Sequence, residues 1–424
     1  MSLSSATSSK VTIETHGCKL NQADSTTIAN QFTNAGYVLS EDIKSSEYFV
    51  LNTCTVTHIA DRKARKSIRN AKRTNPDIKI IVTGCYAESA PKILKDMPEV
   101  DHVIGNKNKT GSFNNLLNLN LKNNTSTPVN SIPNKSRLMV KIQEGCDQIC
   151  AYCIIPKVRG REKSVDSHKI IDVINQSISS DNKEVVLTGT ELGSYGFELE
   201  NQSLPILIDS ILDKTDIPRL RVSSLQPQEI NDDLLSKWQN KRLCPHFHIS
   251  LQSGNEKILK SMRRKYTLDE YAKTINRIRE TIPGVSITTD VIVGFPGETE
   301  STFKDTYAFC ESMGFSSIHV FPYSSRPGTS AFYFKNKLDS ELKSEFVKSL
   351  IDLSTKLEIS HIQNNVNEPT SVLWERTISV DNNLYYTGLS ANYLKCLVST
   401  PIDISNTITH IKPRYTIGNY LLAN

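Results

Sequence analysis

The feature that most constrains this chain is a segment near its middle that places three cysteines close together. Cys146, Cys150 and Cys153 form a C-x3-C-x2-C pattern within KIQEGCDQICAYCIIPKVRGR, residues 141–161. Three thiolates leave one position open in the four-ligand shell of an iron–sulfur cluster or a structural zinc ion. In catalytic metal sites the open position receives water, substrate or a chelating cofactor. The pattern therefore predicts a reactive metal site.

A structural zinc site is the alternative interpretation of these cysteines. It would need a fourth ligand from a distant His or Cys. Zinc sites typically combine a C-x2-4-C pair with a second pair of ligands, and the C-x3-C-x2-C spacing does not follow that pattern. The spacing favours the open cluster.

Length and composition limit what surrounds this site. A chain of 424 residues with 22% charged and 38% hydrophobic residues is typical of a folded protein of two or three domains. We expect no membrane association and a reducing, cytoplasmic setting, because no apolar run approaches a bilayer span and MSLSSATSSK lacks a signal-peptide core.

Nine cysteines, an odd number, suit metal ligands and buried thiols better than disulfides. The net charge of +5 permits an anionic partner such as RNA.

Three further cysteines each follow a predicted strand in the first part of the chain. The strands VTIETHGC, YFVLNTC and IKIIVTGC end at Cys18, Cys54 and Cys85, and amphipathic helices separate them. This alternation predicts an open parallel α/β sheet, in which the carboxyl ends of the strands gather at one edge. The sequence therefore predicts that the three cysteines converge in a second cluster site. Three buried structural thiols are the alternative.

The predicted helix after Cys54 is strongly basic. Asp61 is its one acidic residue, and the basic residues recur at helical spacing: Arg62, Lys63, Arg65, Lys66, Arg69, Lys72 and Arg73. Such a face suits phosphate contacts, and a merely solvated basic helix fits the sequence equally well.

The composition then divides the chain. Residues 121–136 are rich in Asn, Ser, Thr and Pro and are predicted to be a linker after a first domain at 9–120. Strands and helices alternate from 137 to 364, which predicts a parallel barrel or partial barrel with functional loops at the carboxyl ends of its strands. The motifs TGTE, SSLQP, SLQSG and DVIVGFPGE end such strands. Their glycines suit close backbone approach to a ligand or, alternatively, a plain turn.

The last segment, residues 365–424, has the alternating pattern and turns of a small β-barrel. Its basic and aromatic residues suit a nucleic-acid surface, although strand tyrosines are also common packing residues: Lys395, Lys412, Arg414, Tyr385, Tyr386 and Tyr393. The remaining cysteines, Cys244, Cys310 and Cys396, are predicted to be packing thiols.

Taken in order, the motifs of this chain closely resemble the radical S-adenosylmethionine (SAM) methylthiotransferase family. The motifs are THGCKLNQADS, NTCTVTHIADRKARKSIR, TGC, EGCDQICAYCIIPKVRGREKS, HISLQSG and DVIVGFPGE. The resemblance spans nearly the whole chain. It implies an N-terminal methylthiotransferase domain, a partial (β/α) radical SAM core and a C-terminal TRAM β-barrel that binds RNA.

The resemblance also implies cofactors and roles. Cys146, Cys150 and Cys153 would bind a 4Fe-4S cluster that cleaves SAM to a 5′-deoxyadenosyl radical, and Cys18, Cys54 and Cys85 would bind an auxiliary 4Fe-4S cluster that carries sulfur. The C2–H bond of an adenine ring offers neither a useful acid nor a leaving group, so a radical supplied by a cofactor suits its substitution. An electron donor, such as flavodoxin or ferredoxin, and a sulfur donor would be partners. The candidate SAM-binding residues are Tyr152, Thr188, Gly189, Glu191, Ser224, Gln252 and Gly294.

Family members modify either an adenosine beside the tRNA anticodon or an aspartate of a ribosomal protein. RVSSLQPQEI, PKVRGREKSV and TELGSYG most resemble the branch that acts on N6-threonylcarbamoyladenosine at tRNA position 37, rather than the isopentenyladenosine branch. Glu191 stands where relatives often have Asn, Asp or His. The competing class of function is a non-catalytic RNA-binding protein in which both cysteine sets bind zinc.

Overall fold

The computed structural model describes residues 9–118 and 136–423. These residues form two compact units. The first comprises 9–118 with the short segments 144–147 and 153–162, and the second comprises 136–143, 148–152 and 163–423. Apart from Ser136, the predicted linker at 121–136 lies outside the described residues.

The first unit contains a five-stranded parallel sheet in the order β2-β1-β3-β4-β5. Its strands are β1 Lys10–Thr15, β2 Val38–Leu39, β3 Tyr48–Thr53, β4 Lys79–Gly84 and β5 His102–Ile104. Its helices are α1 Lys19–Asn34, α2 His58–Thr74, α3 Cys85–Ser89, α4 Pro91–Lys95, α5 Lys109–Leu116 and, in the segment 153–162, α6 Ile155–Val158.

Both faces of this sheet are covered, which explains the continuous buried apolar runs at 49–51 in β3 and 80–82 in β4. Ile28 and Phe32 of α1 are buried with Val50 of β3. Ala64 and Ile68 of α2 are buried in a second cluster with other strand residues. These two buried clusters hold the strands in place, and the strands in turn position the loops at the carboxyl edge of the sheet.

The second unit begins with a parallel strand layer in two sheets, ordered β10-β9-β6 and β11-β12-β13-β14. The strands are β6 Arg137–Lys141, β9 Glu184–Thr188, β10 Arg219–Val222, β11 Ser224–Leu225, β12 His246–Ile249, β13 Ser286–Val293 and β14 Ser317–Pro322, with the short β7 Gln143–Glu144 and β8 Lys163–Ser164 nearby in sequence. The helices are α7 Ser167–Ser179, α8 Leu204–Lys214, α9 Asp232–Ser236, α10 Glu256–Ser261, α11 Leu268–Thr281, α12 Glu300–Met313 and α13 Ser340–Asn364. This is the expected partial (β/α) barrel.

The C-terminal part of the second unit is a curled six-stranded sheet in the order β18-β15-β16-β17-β20-β19, consistent with a TRAM-like half-barrel. Its strands are β15 Thr370–Val380, β16 Asn383–Ser390, β17 Lys395–Val398, β18 Ile408–Ile411, β19 Tyr415–Ile417 and β20 Tyr420–Ala423. Trp374, Cys396 and Leu421 are buried at its centre. Cys244 and Cys310 are also buried.

The turn between β16 and β17 packs against the barrel strands through Tyr393. Tyr393 stacks on the ring of His246 at 4.4 Å, and the Arg221 guanidinium lies 4.9 Å from the centre of the Tyr393 ring. These contacts support the packing interpretation of Tyr393, which the sequence left open beside an RNA-binding role. Arg221 is itself fully buried and ion-paired with Glu184 at 2.8 Å. In the described part of the chain no helix has the length and apolar character needed to cross a membrane.

Candidate functional site

The carboxyl edge of the first unit's sheet brings three cysteines together. Cys54 and Cys85 directly follow β3 and β4, and Cys18 caps the start of α1 three residues after β1. Because β1, β3 and β4 are adjacent and parallel, with Thr15 paired to Asn52 and Thr53 to Gly84, their ends meet at one edge. The distant positions in the sequence become neighbours at this edge.

Small residues and buried amides hold the cysteine loops. Gly17 has a φ of +103°, and a Cβ atom there would stand 2.7 Å from the Cβ of Cys54. The Asn21 side chain donates to the carbonyls of His16 and Thr53 at 2.6 and 3.0 Å, which joins the loop after β1 to the end of β3. A glycine and a buried amide thus allow the first two loops to approach closely.

The thiols at this edge interact with one another. Burial, together with the charges of Cys85 and Cys18, raises the pKa of Cys54 to about 11. Burial also raises the pKa of Cys85, which is 3% exposed, and Cys18 adds to that shift. Three converging soft donors whose negative charges repel one another suit a bound cation or iron–sulfur cluster, which would keep them deprotonated.

Arg159 supplies positive charge inside this edge. Its side chain is 1% exposed, pairs with Asp24 at 3.1 Å and also donates to Glu144 and Asn21. Burial opposes its charge, but Cys85 and Asp24 outweigh that effect and raise the pKa of Arg159. The positive charge of the guanidinium also lowers the pKa of the Cys85 thiol, against the effect of burial.

The segment that carries C-x3-C-x2-C is divided between the two units. Cys146 and Cys153 belong to the first unit, where the backbone N–H of Cys146 donates to the carbonyl of Gly160 at 3.2 Å. Cys150 belongs to the second unit, where Nη1 of Arg264 donates to its Sγ at 3.4 Å. Cys150 and Cys153 are partly exposed, and Cys146 is buried.

Tyr152 is anchored in the second unit. Its ring meets that of Phe295 edge-on, with 6.5 Å between centroids. The neighbouring Ala151 is fixed by backbone hydrogen bonds to Met262 and Ala331, at 2.9 and 2.8 Å. The loop next to Cys150 is therefore held by residues that lie far away in the sequence.

A polar network surrounds Glu191, which is 5% exposed. Gln148 and Gln226 both donate to its carboxylate, and Gln226 in turn accepts from Arg264 at 2.9 Å. Burial and the neighbouring Glu191 raise the pKa of Glu229. The network links the Glu191 position to the arginine that contacts Cys150.

The remaining predicted SAM-binding residues lie at the carboxyl ends of barrel strands. Gln252 has a φ of +71° and exchanges backbone hydrogen bonds with β13 at Asp290 and Ile292. Gly294 donates to Glu298 at 2.5 Å, and burial raises the pKa of Glu298 to about 7. Thr188 ends β9 beside Gly189, and Ser224 is exposed on β11.

Three residues around these sites were not singled out from the sequence: Asn21, Arg159 and Arg264. Arg159 lies within the motif PKVRGREKSV, whose resemblance to the family does not single out this arginine. Asn21 and Arg264 act through contacts between distant segments, and no local pattern marks such residues.

The α2 helix has the exposed basic face that the sequence suggested. Asp61 turns inward and accepts from Thr55 at 2.7 Å, so the outward face carries no acidic residue of this helix. Arg65 and Lys72 are partly buried against Tyr86 and the carbonyl of Ile78. The exposed basic residues are Arg62, Lys63, Lys66, Arg69 and Arg73.

Comparisons with known proteins match both parts of this chain. Residues 10–105 match the model described as "Uncharacterized protein family UPF0004", and residues 140–310 match that of the radical SAM superfamily. Threonylcarbamoyladenosine tRNA methylthiotransferase MtaB of Bacillus subtilis is 34% identical over 95% of this chain and 93% of its own length. The protein of the same name in Aquifex aeolicus is 38% identical over 82% and 88%. A tRNA-2-methylthio-N(6)-dimethylallyladenosine synthase of Endomicrobium trichonymphae is 34% identical over 86% and 88%.

Among solved structures, this chain is similar in fold to the radical SAM methyltransferase TsrM of Kitasatospora setae. The TM-score is 0.55 at 13% identity, covering 76% of this chain and 77% of that one. A likeness at this identity shows the fold alone.

Proposed function

The chain belongs to the radical SAM methylthiotransferase family, and on this premise we propose that it inserts a methylthio group at C2 of N6-threonylcarbamoyladenosine in tRNA. The observation that carries the proposal is the 34% identity to the Bacillus subtilis enzyme over 95% of this chain and 93% of that one. Similarity over nearly the full length of both proteins supports a shared reaction and not merely a shared domain.

Enzymes of this family carry two 4Fe-4S clusters and use SAM. We assign one cluster to Cys18, Cys54 and Cys85 and the other to the cysteines at 146, 150 and 153. The donor sets fit: each offers three thiols, and those at the sheet edge converge with charges that a cluster would compensate. Bound there, the clusters would supply one-electron reduction of SAM and a carrier for the transferred sulfur.

The residues of the chain itself position these groups. Arg264 places a hydrogen-bond donor on Cys150, and Arg159 places one beside Cys85. Glu191, held by two glutamine side chains, offers a buried carboxylate suited to the ammonium group of SAM. Tyr152, Thr188, Gly189, Ser224, Gln252 and Gly294 remain proposed SAM-binding residues.

The proposed division of labour follows the sequence boundaries. Residues 9–120 would form the methylthiotransferase domain, 137–364 the radical SAM core and 365–424 a TRAM domain that binds tRNA. An electron donor, such as a flavodoxin or ferredoxin, and a sulfur donor complete the reaction. A cytoplasmic location suits these partners.

A second candidate function is methylthiolation of N6-dimethylallyladenosine. The Endomicrobium trichonymphae relative with that name matches at 34% identity over 86% of this chain. The two substrates differ in the substituent on N6 of the adenine. The threonylcarbamoyl group is polar and charged, whereas the dimethylallyl group is apolar. A site that pairs the polar group would leave buried polar atoms unmatched against the other, so we expect strong discrimination.

Nucleoside mass spectrometry of tRNA tests the substrate. Cells that lack this protein should accumulate threonylcarbamoyladenosine and lose its 2-methylthio form, and the wild-type chain should restore it. The variant Cys150→Ala provides the control, since it should be expressed without restoring the product. Loss of the methylthio dimethylallyl nucleoside instead would establish the second candidate.

A further inference from the structure

The four-stranded sheet of the second unit carries two histidines and an aspartate that the proposed function does not use. His248, Asp290 and His319 lie on β12, β13 and β14, which are adjacent and parallel. Asp290 pairs in register with His319, and His248 pairs with Thr288, two residues before Asp290. Because side chains alternate along a strand, these residues project from one face of the sheet.

The opposite face of this sheet is covered. Tyr271 of α11 is buried there and forms a 3.2 Å hydrogen bond with Thr289, the neighbour of Asp290. The face with the two histidines is more open, since His319 is exposed and the Asp290 side chain is 28% exposed. A small ion can therefore reach the group.

The distances within the group suit metal coordination. Nε2 of His248 lies 3.2 Å from Oδ2 of Asp290. One nitrogen of each histidine and one carboxylate oxygen all lie within 4.8 Å of one another. Ligands about 2.1 Å from a metal stand roughly 3.0–3.4 Å apart, so one pair has the required separation already. The centres of the His248 and His319 rings lie 5.6 Å apart, and a rotation of the exposed His319 ring would bring in the third ligand.

The chemistry of the donors identifies the class of ion. Two imidazoles and one carboxylate bind first-row divalent cations such as Mn²⁺, Fe²⁺ and Zn²⁺, and three protein ligands leave positions open for an oxygen donor. The other ring nitrogen of His248, Nδ1, is hydrogen-bonded to the Thr288 hydroxyl at 2.9 Å. This contact fixes the ring so that Nε2 faces Asp290, as partners of metal-bound histidines do.

We propose that His248, Asp290 and His319 form a binding site for one first-row divalent cation on the barrel strands, with no cysteine among its ligands. The site takes its ligands from three strands, so its geometry is set by the sheet. Its open positions would let the ion coordinate an oxygen-bearing molecule that enters the barrel. The simpler arrangement, an ion pair of His248 and Asp290 beside an unrelated histidine, binds no metal.

Mn²⁺ titration of the cluster-loaded full chain, followed by electron paramagnetic resonance, tests the site. Mn²⁺ prefers oxygen and nitrogen donors to thiolates, which keeps it away from the cysteines. The wild-type chain should bind one Mn²⁺. Asp290→Asn and His319→Gln should each weaken binding at least about tenfold, and Thr288→Val, which frees the His248 ring, should weaken it about 10–100-fold.

Asp269→Asn is the matched control, because it removes the same charge from an exposed pair with Lys273 on α11. It should leave Mn²⁺ binding unchanged. His319 is exposed, so His319→Gln is expected to fold even if Asp290→Asn does not. Equal Mn²⁺ affinity in the wild type and the His319→Gln variant, or no binding at millimolar Mn²⁺, would overturn the proposal. Anomalous diffraction at the manganese edge should place the ion between the three side chains.

Discussion

The two sets of three cysteines are built in different ways. Cys18, Cys54 and Cys85 are separated in sequence by whole strands and helices, and the parallel sheet brings them to one edge. The other set lies within a single short segment of the sequence. The first site therefore depends on the fold of a domain, whereas local spacing already restricts the second. Damage to the sheet should affect the first site more than the second.

The surroundings of the two sets differ as well. Beside Cys85, the buried Arg159 is neutralised by Asp24, which also pairs with Lys109 at 3.0 Å. Beside Cys150, Arg264 contacts the neutral Gln226 and the ring of Tyr266. The arginine beside Cys85 is thus held by a buried charge pair, whereas the arginine beside Cys150 is held by a neutral amide and an aromatic ring.

The largest expected effect comes from removing each set of cysteines. Changing Cys146, Cys150 and Cys153 to Ala should reduce SAM cleavage to background, because the cluster that reduces SAM is lost. Changing the three sheet-edge cysteines should preserve cleavage and abolish methylthio transfer. Iron should fall from about eight to about four per chain in either variant.

Anaerobic iron analysis and chromatography of 5′-deoxyadenosine measure these outcomes. Methylthio product from the sheet-edge variant would show that the second set is not needed for sulfur insertion. Stoichiometric zinc in colourless wild-type protein would instead support the non-catalytic RNA-binding alternative.

Sequence patterns were sufficient to predict the architecture. Strand and helix periodicity gave the parallel sheet, the partial barrel and a small C-terminal β-barrel, which the structure shows as a curled half-barrel sheet, since each depends on alternation over many residues. The convergence of Cys18, Cys54 and Cys85 also followed, because parallel strands must end at the same edge. All of these features follow from the periodic spacing of apolar residues, which can be read from a single sequence.

The second expected effect separates the two arginines. Arg159→Met should lower the free energy of unfolding by about 3–5 kcal/mol, since it leaves the buried Asp24 carboxylate without one of its cationic partners. Arg264→Met should cost less stability, because it uncovers no carboxylate partner among its contacts with Cys150, Gln226 and Tyr266. Chemical denaturation followed by circular dichroism measures both.

Arg159→Lys is the matched control for charge. It should recover part of the stability, although lysine lacks the planar fork that reaches Asp24 and Glu144 together. Equal losses for Arg159→Met and Arg264→Met would contradict the contrast between the two surroundings.

The sequence did not predict these arginines, and it left two roles open for Tyr393. Arg159 acts on Cys85 from a segment that follows the other cysteine set, and Tyr393 packs on His246 across a large sequence separation. Tyrosine on a strand is compatible with either RNA binding or packing. Only the contacts in the structure distinguish RNA binding from packing, because the periodicity of a strand does not show which residue its tyrosine contacts.

The third expected effect is a pH dependence that belongs to the barrel end and not to the cysteine edge. Burial raises the pKa of Glu298 to about 7, above its unfolded value of 4.5. Between those values the folded chain holds a proton that the unfolded chain has released, so stability falls as pH rises from about 4.5 to 7. Glu298→Gln should remove this loss, roughly 2–3 kcal/mol at pH 8.

Denaturation curves at pH 5 and pH 8 measure this effect. The difference in stability between the two pH values should be smaller in Glu298→Gln than in the wild type. Glu300→Gln is the control, since Glu300 lies on the surface in an exposed pair with Lys304. An unchanged pH dependence in the Glu298 variant would show that this carboxyl is not the group responsible.

The smallest expected effect concerns which region holds tRNA. Two matched double variants each remove two exposed charges: Arg62→Gln with Lys66→Gln on α2, and Lys412→Gln with Arg414→Gln between β18 and β19 of the C-terminal sheet. A region that contacts phosphates should lose about 0.7–0.9 from the salt slope of log affinity for each charge removed. Fluorescence anisotropy with labelled tRNA over a range of salt concentrations measures the slope.

A reduced slope only in the C-terminal variant would assign RNA contact to the TRAM-like sheet. A reduced slope only in the α2 variant would assign it to the helix that follows Cys54. A phosphate contact on the helix after Cys54 would hold the nucleoside near the carboxyl edge of the sheet. A reduced slope only in the α2 variant would therefore connect tRNA binding with the site of Cys18, Cys54 and Cys85.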